Sequence, residues 1–337
     1  MSARPQRAVV FAYHSMGVRA LSALLGLGLE VPLLLSHEDD PEENRWFESV
    51  RDLAGWAGVP CIAPADPNDP DVLDAVRACA PDWIFSFYYR RLLGPDLLSV
   101  PVKGAYNLHG SLLPRYRGRV PVNWAVLHGE RETGVSLHRM VEKPDAGALV
   151  DQEAVAILPN DTAHAVFQKL ICAAERLLLR TVPLMIAGRH VETPQELSAG
   201  SYFGGRRPED GRVDWDASAW EVHNLIRAVA PPYPGAFTDI GGRRLDILGS
   251  WYGGEAALGH HPRLYWEGNA CYADLSDGQR LRLTRVASGG CELTRNGFVE
   301  CFGCDDVSLP LSSSSGTVSA VGTTGEKQRG RQRAENS

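Results

Sequence analysis

The N-terminal part of the chain repeats one unit, a short apolar run suited to a buried strand followed by a stretch with helical spacing. Ala8 to Tyr13 is apolar and β-branched, and Met16 to Leu27 follows with Val18, Leu21, Leu24 and Leu25 on one helical stripe. Glu30 to Ser36 then precedes a helical pattern over Asn44 to Ala57, and Pro60 to Ala63 precedes one over Pro70 to Cys79. Asp82 to Phe87 supplies a further buried run. Strands without a polar face, alternating with helices, predict an α/β fold: a Rossmann-like parallel sheet covered on both sides. The first strand-to-helix junction, Tyr13-His14-Ser15-Met16-Gly17, lacks the G-x-G-x-x-G turn that carries a dinucleotide pyrophosphate, which argues against a dehydrogenase.

Sheets of this kind hold ligands at the carboxyl ends of their strands. The richest such end is Gly104 to Gly118, GAYNLHGSLLPRYRG. In an extended segment Asn107 and His109 leave the same face, so an amide and an imidazole can converge on one atom and hold an oxyanion. Taken singly, an Asn near a strand end is a common turn former and a His a common partly buried residue. Downstream, Thr133 to Val141 and Ala148 to Ile157 read as two strands joined by a turn that carries Asp145 in Lys143-Pro144-Asp145-Ala146-Gly147. Arg115, Arg117 and Arg119 crowd the loop after the first stretch, as solvated cations or as ligands of something negative.

Asp161 to Gly188 is a long helical pattern that would close a first domain. A polar crossover follows, and Arg206 and Arg207 stand where a second domain begins; paired guanidinium groups there suit the diphosphate of a substrate, or an ion pair with Glu209, Asp210 or Asp214. A helix over Ala217 to Ala228, a proline-rich turn and short β segments to about Asp306 suit a small antiparallel barrel. The expected organisation is residues 1–189 as a catalytic domain, 190–201 as a linker, 202–307 as a small β-barrel domain and 308–337 as a disordered Ser/Gly/Thr-rich tail.

The formal charge of −7 comes without a basic block in the folded part, which speaks against a nucleic-acid partner. The 7 cysteines are odd in number and scattered, and Cys301-Phe-Gly-Cys304 lacks a second half, so no metal is expected. No apolar run reaches the roughly 20 residues of a membrane helix, so no membrane insertion is expected and the cytoplasm is the expected location.

Asn107-Leu108-His109-Gly110-Ser111-Leu112-Leu113-Pro114 with Asp145-Ala146-Gly147 resembles the formyltransferases that use 10-formyltetrahydrofolate. Ala12-Tyr13-His14, Phe85-Ser86-Phe87-Tyr88-Tyr89-Arg90, Leu137-His138-Arg139-Met140-Val141 and Phe203-Gly204-Gly205-Arg206-Arg207-Pro208 bring the resemblance closest to the branch that N-formylates UDP-4-amino-4-deoxy-L-arabinose. The resemblance implies that Asn107, His109 and Asp145 are catalytic, with Asp145 raising the pKa of His109, and that the second domain is OB-like. It further implies that Arg91, Leu92, Leu93, Arg119, Val141, Glu142, Lys143, Pro144 and Asp145 meet the folate co-substrate. Its transfer-RNA branch carries a basic insertion where this chain has His37-Glu38-Asp39-Asp40-Pro41-Glu42-Glu43, so a nucleotide-linked amino sugar is the expected acceptor. Methionyl-tRNA formylation, hydrolysis of the formyl donor and silent ligand binding stand as alternatives, and the oligomeric state is left open.

Overall fold

A computed structural model describes residues 4–41, 44–259 and 261–309. The expected tail over 308–337 therefore lies, past residue 309, outside the described residues, as do Glu42 and Glu43 of the acidic loop.

The expected alternation is present as β1 (Ala8–Ala12), α1 (His14–Gly26), β2 (Leu34–Leu35), α2 (Val50–Ala57), β3 (Cys61–Ile62), α3 (Pro70–Ala78) and β4 (Trp83–Phe87). Then come α4 (Pro95–Leu98), β5 (Gly104–His109), β6 (Arg117–Gly118), α5 (Pro121–Leu127), β7 (Glu132–Arg139), β8 (Leu149–Ala156) and α6 (Ala163–Ile186). One sheet runs β3-β2-β1-β4-β5-β7-β8, parallel from β3 to β5 and closed by the antiparallel β7–β8 hairpin. Strand periodicity decides which side chain faces which layer. Val9 and Phe11 join Val72 and Val76 of α3, whereas Val10 and Ala12 join Leu21 and Leu24 of α1 and Leu170 and Leu177 of α6. Each such buried aliphatic contributes about 1.5–3 kcal/mol relative to exposure.

Two elements are shorter than their sequence patterns. The helix expected from Asn44 begins at Val50, capped by Ser49, whose hydroxyl accepts the Asp52 N–H at 3.2 Å. Trp46 and Phe47 leave the helix to pack on His14, with ring centroids 4.6 and 4.0 Å away, and burial of two aromatics outweighs about one helical turn. The strand expected over Glu30 to Ser36 pairs as a strand only at Leu34–Leu35, with one bridge from Glu30 to Arg7.

The chain then passes through β9 (Tyr202–Phe203), α7 (Ala219–Val229), β10 (Ala236–Ile240), β11 (Arg243–Ala256), β12 (Arg263–Glu267), β13 (Ala270–Asp274), β14 (Gln279–Ser288), β15 (Cys291–Glu292), α8 (Arg295–Phe302) and β16 (Asp306–Ser308). The antiparallel order β10-β11-β14-β13-β12-β16 makes the curled half-barrel expected of an OB-like domain. Register shifts after Ile247, Gly249 and Trp251 let the long β11 bend around it. The two sheets share an apolar cluster and a polar seam: Arg227 of α7 donates to the Asp161 carbonyl at 2.9 Å, and His223 Nε2 to the Pro159 carbonyl at 2.9 Å.

Candidate active site

The carboxyl ends of β1, β4 and β5 open onto one cleft of about 1320 Å³. At the end of β5 the His109 ring is oriented from two sides. Nε2 donates to the Tyr116 carbonyl at 2.8 Å, which fixes a proton there, and Nδ1 faces Asp145 Oδ1 at 3.5 Å. The other carboxylate oxygen accepts the Gly118 N–H at 3.0 Å. The spaced Asn107, His109 and Asp145 are thus brought together, and all three line the cleft.

Asn107 is oriented by His138, which sequence reasoning noted as part of a motif and gave no role. His138 Nδ1 lies 2.9 Å from the Arg139 carbonyl, so it carries the ring proton and leaves Nε2 to accept. The 3.2 Å contact from Asn107 Nδ2 to that Nε2 sets the amide with its NH2 toward His138, one N–H used and one left over. His138 Nε2 also stands 3.6 Å from Asp145.

Burial pulls the His109 pKa down further than Asp145, as expected, pulls it up. Burial depresses the pKa of His109 below the usual imidazole range, outweighing the upward pulls of Asp145 and the Tyr116 carbonyl, so the free ring is neutral. Burial alone would raise the Asp145 carboxyl, but the Gly118 N–H and, in their protonated forms, His109 and His138 bring it down to about 2. Backbone strain gathers here as well. Of the six non-glycine residues with positive φ among the described residues, His14, Tyr88, Val120 and Asp145 line the cleft and Tyr116 supplies the carbonyl held by His109. Strained residues of this kind cost about 1–3 kcal/mol each and persist where the surroundings over-determine them.

Two unlike groups of residues, here called lobes, line the cleft. One is edged by Arg91, Leu92, Leu93, Arg119, Val141, Glu142 and Pro144, so the expected folate residues line it, with Lys143 outside the lining. Asn68 pins its rim by donating to the Leu92 carbonyl at 3.1 Å and accepting the Gly94 N–H at 2.6 Å. The other lobe is aromatic: Tyr13, His14, Trp46, Phe47, Tyr88, Phe167 and Tyr233. His14 stacks on Phe47 and meets Trp46 and Phe167 edge-on, with its Nδ1 buried and without a hydrogen-bond partner. A Cβ on Gly110 would stand 2.7 Å from the Tyr88 hydroxyl, so the aromatic wall abuts the residue after His109.

Arg206 and Arg207 are not among the residues lining the cleft. Arg206 sits 4.9 Å over the Trp124 ring and donates to the Asp210 carbonyl at 2.9 Å, and the Arg207 N–H binds the Asp210 carboxylate at 2.7 Å. Of the three loop arginines, Arg115 pairs with Glu130, Arg117 is buried, and Arg119 alone lines the cleft. Among the described residues no His/Cys/Asp/Glu group could hold a metal ion, and no helix is long and apolar enough to cross a membrane.

Comparison with known proteins gives two family matches: formyl transferase over residues 29–182, and formyl transferase C-terminal domain over residues 206–279. Among solved structures, an N-formyltransferase from Helicobacter canadensis, in complex with folinic acid and dTDP-3-aminofucose, is 18% identical with a TM-score of 0.66, over 86% of this chain and 100% of that one. WlaRD, a sugar 3N-formyl transferase with dTDP and 5-N-formyl-THF, is 18% identical with a TM-score of 0.68, over 86% and 99%. The protein Rv3404c from Mycobacterium tuberculosis is 16% identical with a TM-score of 0.57, over 72% and 96%. These likenesses establish a shared fold.

Proposed function

The chain belongs to the formyl transferase family, and from that premise we propose that it moves a formyl group from 10-formyltetrahydrofolate to the primary amine of a nucleotide-linked amino sugar, specifically UDP-4-amino-4-deoxy-L-arabinose. The observation that carries this reading is one cleft lined by Asn107, His109 and Asp145 together with two unlike groups of residues, the rim of Arg91, Leu92 and Leu93 and the aromatic wall. Its volume of about 1320 Å³ exceeds the roughly 300–1,000 Å³ of single-ligand pockets, as two substrates bound together require. The rim held by Asn68 suits the flat pterin, and the proteins of similar fold that were solved with folates and dTDP or a dTDP-sugar support both substrate classes.

The folate supplies an activated formyl group on nitrogen. Asn107 donates its spare amide N–H to the formyl oxygen as charge gathers there, a contribution of about 3–4 kcal/mol for one well-placed donor. His109, neutral and with its proton held on Nε2 by Tyr116, offers the Nδ1 lone pair to the proton that the attacking amine sheds. Asp145, ionised, balances the imidazolium so formed. The ring then returns that proton to the departing folate nitrogen: one N–C bond forms, one breaks, and the amine proton ends on the folate. His14, its Nδ1 buried and unpartnered, shapes the aromatic wall that faces the acceptor. Formylation of a panel of UDP- and dTDP-linked amino sugars tests the reading. Product with the UDP-4-amino pentose supports it, turnover of donor without acceptor makes the protein a hydrolase, and formylation of charged initiator transfer RNA alone overturns the acceptor class.

A further inference from the structure

Between α6 and β9 the chain crosses from one sheet toward the other, and the sequence reads this stretch as a polar linker. Its hydrogen bonds say otherwise. Gln195 Nε2 donates to the carbonyls of Asp145 at 3.1 Å and Gly147 at 2.6 Å, spending both N–H groups on the loop that carries the carboxylate. Thr193 and Leu149 exchange both backbone hydrogen bonds at 2.8 Å, extending the pairing just beyond that loop. At the other end, the Ser201 hydroxyl accepts the Tyr116 N–H at 2.8 Å, its carbonyl accepts the Arg117 N–H at 3.0 Å, and its N–H reaches the Pro114 carbonyl at 3.2 Å. The Tyr116 carbonyl is the one held by His109.

We propose that the crossover is a positioning strap of the active site, and that Gln195 is the residue that sets Asp145 against His109. The strap grips both partners of the imidazole, Asp145 through Gln195 and Tyr116 through Ser201. Asp145 needs such a grip because its backbone is left-handed at φ 52°, a conformation that neighbours must enforce in a residue bearing a side chain. Gly147 is closed in from the other side, since a Cβ there would run into the Arg139 carbonyl. Gln195 also buries its Oε1 without a partner, a cost that an apolar residue of similar shape would avoid. A side chain kept for packing alone has no use for that amide. Its two donors aim at the catalytic loop.

The inference rests on the roles proposed for His109 and Asp145, so its test has an arm that needs no turnover. In Gln195→Leu, kcat falls about tenfold to a hundredfold, as a displacement near 1 Å does, while KM for donor and acceptor stay within about twofold and the unfolding midpoint moves by a few degrees at most. The acid limb of the kcat profile moves to lower pH, because His109 loses the upward pull of Asp145 on its pKa. Histidine side-chain 15N spectra of the resting protein show the His109 signals displaced in Gln195→Leu. If that variant does not fold, Ser201→Ala replaces it and must displace the same signals. Unchanged His109 signals overturn the strap whatever the activity. So does a kcat loss that only tracks lost folded protein. A wild type inert toward amino sugars counts against the proposed function and leaves the spectral arm to judge Gln195.

Discussion

In one lobe of the cleft Leu92 and Val141 stand 70% and 42% exposed on a rim tied by Asn68. In the other, His14 is buried among Phe47, Trp46 and Phe167 at centroid distances of 4.0 to 4.9 Å. The first lobe is shaped by backbone and one amide, so a flat ring can slide in with little rearrangement of side chains. The second is shaped by interlocked rings that cannot repack singly, so it offers a fixed outline. On the proposed function the difference would divide the labour: the open lobe for exchange of a common donor, the closed one for selection of the acceptor, with Asp145 serving both.

Asp145 is the place to break this picture most severely. Asp145→Asn keeps shape and removes charge, and kcat is expected to fall by about 10²–10⁴ with both KM values nearly unchanged. A change confined to one KM would assign Asp145 to one lobe, and steady-state kinetics in both substrates decide.

The closed lobe then makes itself felt in stability. Burial, with smaller contributions from Arg90 and His164, lowers the His14 pKa to about 3. The unfolded chain binds a proton there below about pH 6.5 and the folded chain does not until about pH 3, so stability contributed at neutral pH is lost as pH falls through that window. Urea unfolding at stepped pH should show a slope of up to about 1.4 kcal/mol per pH unit from this ring, absent in His14→Phe. An unchanged slope would mean that the ring is not sealed.

Next in size, His14→Phe should lower kcat/KM for the acceptor by up to about tenfold, because the packed wall beside it shifts, and leave the donor KM alone. A donor effect of equal size would erase the distinction between the lobes. Smallest, Leu92→Ala should raise the donor KM about threefold with no effect on the acceptor, because a largely exposed side chain gives up only part of its apolar area. Donor titrations at saturating acceptor measure it.

The parallel sheet was legible because buried strands without a polar face leave few alternatives, and Asn107 with His109 because strand periodicity puts them on one side. Asp145 was reached through its motif, since a loop aspartate has no local mark of its own. The aromatic lobe was hidden because Trp46 and Phe47 carry no local signal to leave a helix; the rings that draw them out belong to α1 and α6. The net direction of the His109 shift was hidden for a related reason: a carboxylate partner is visible in sequence, and the depth of burial is not. Gln195 lies 50 residues from Asp145, in a stretch whose proline and charges read as a linker. Only the fold supplies its two carbonyls.

The most direct test of a formyl group changing hands at Asn107, His109 and Asp145 is a single-turnover experiment with donor carrying 13C in its formyl carbon and UDP-4-amino-4-deoxy-L-arabinose. The account predicts the label on the sugar nitrogen with wild-type protein and almost none with Asp145→Asn. Label released as formate, or transferred equally well by the variant, would contradict it.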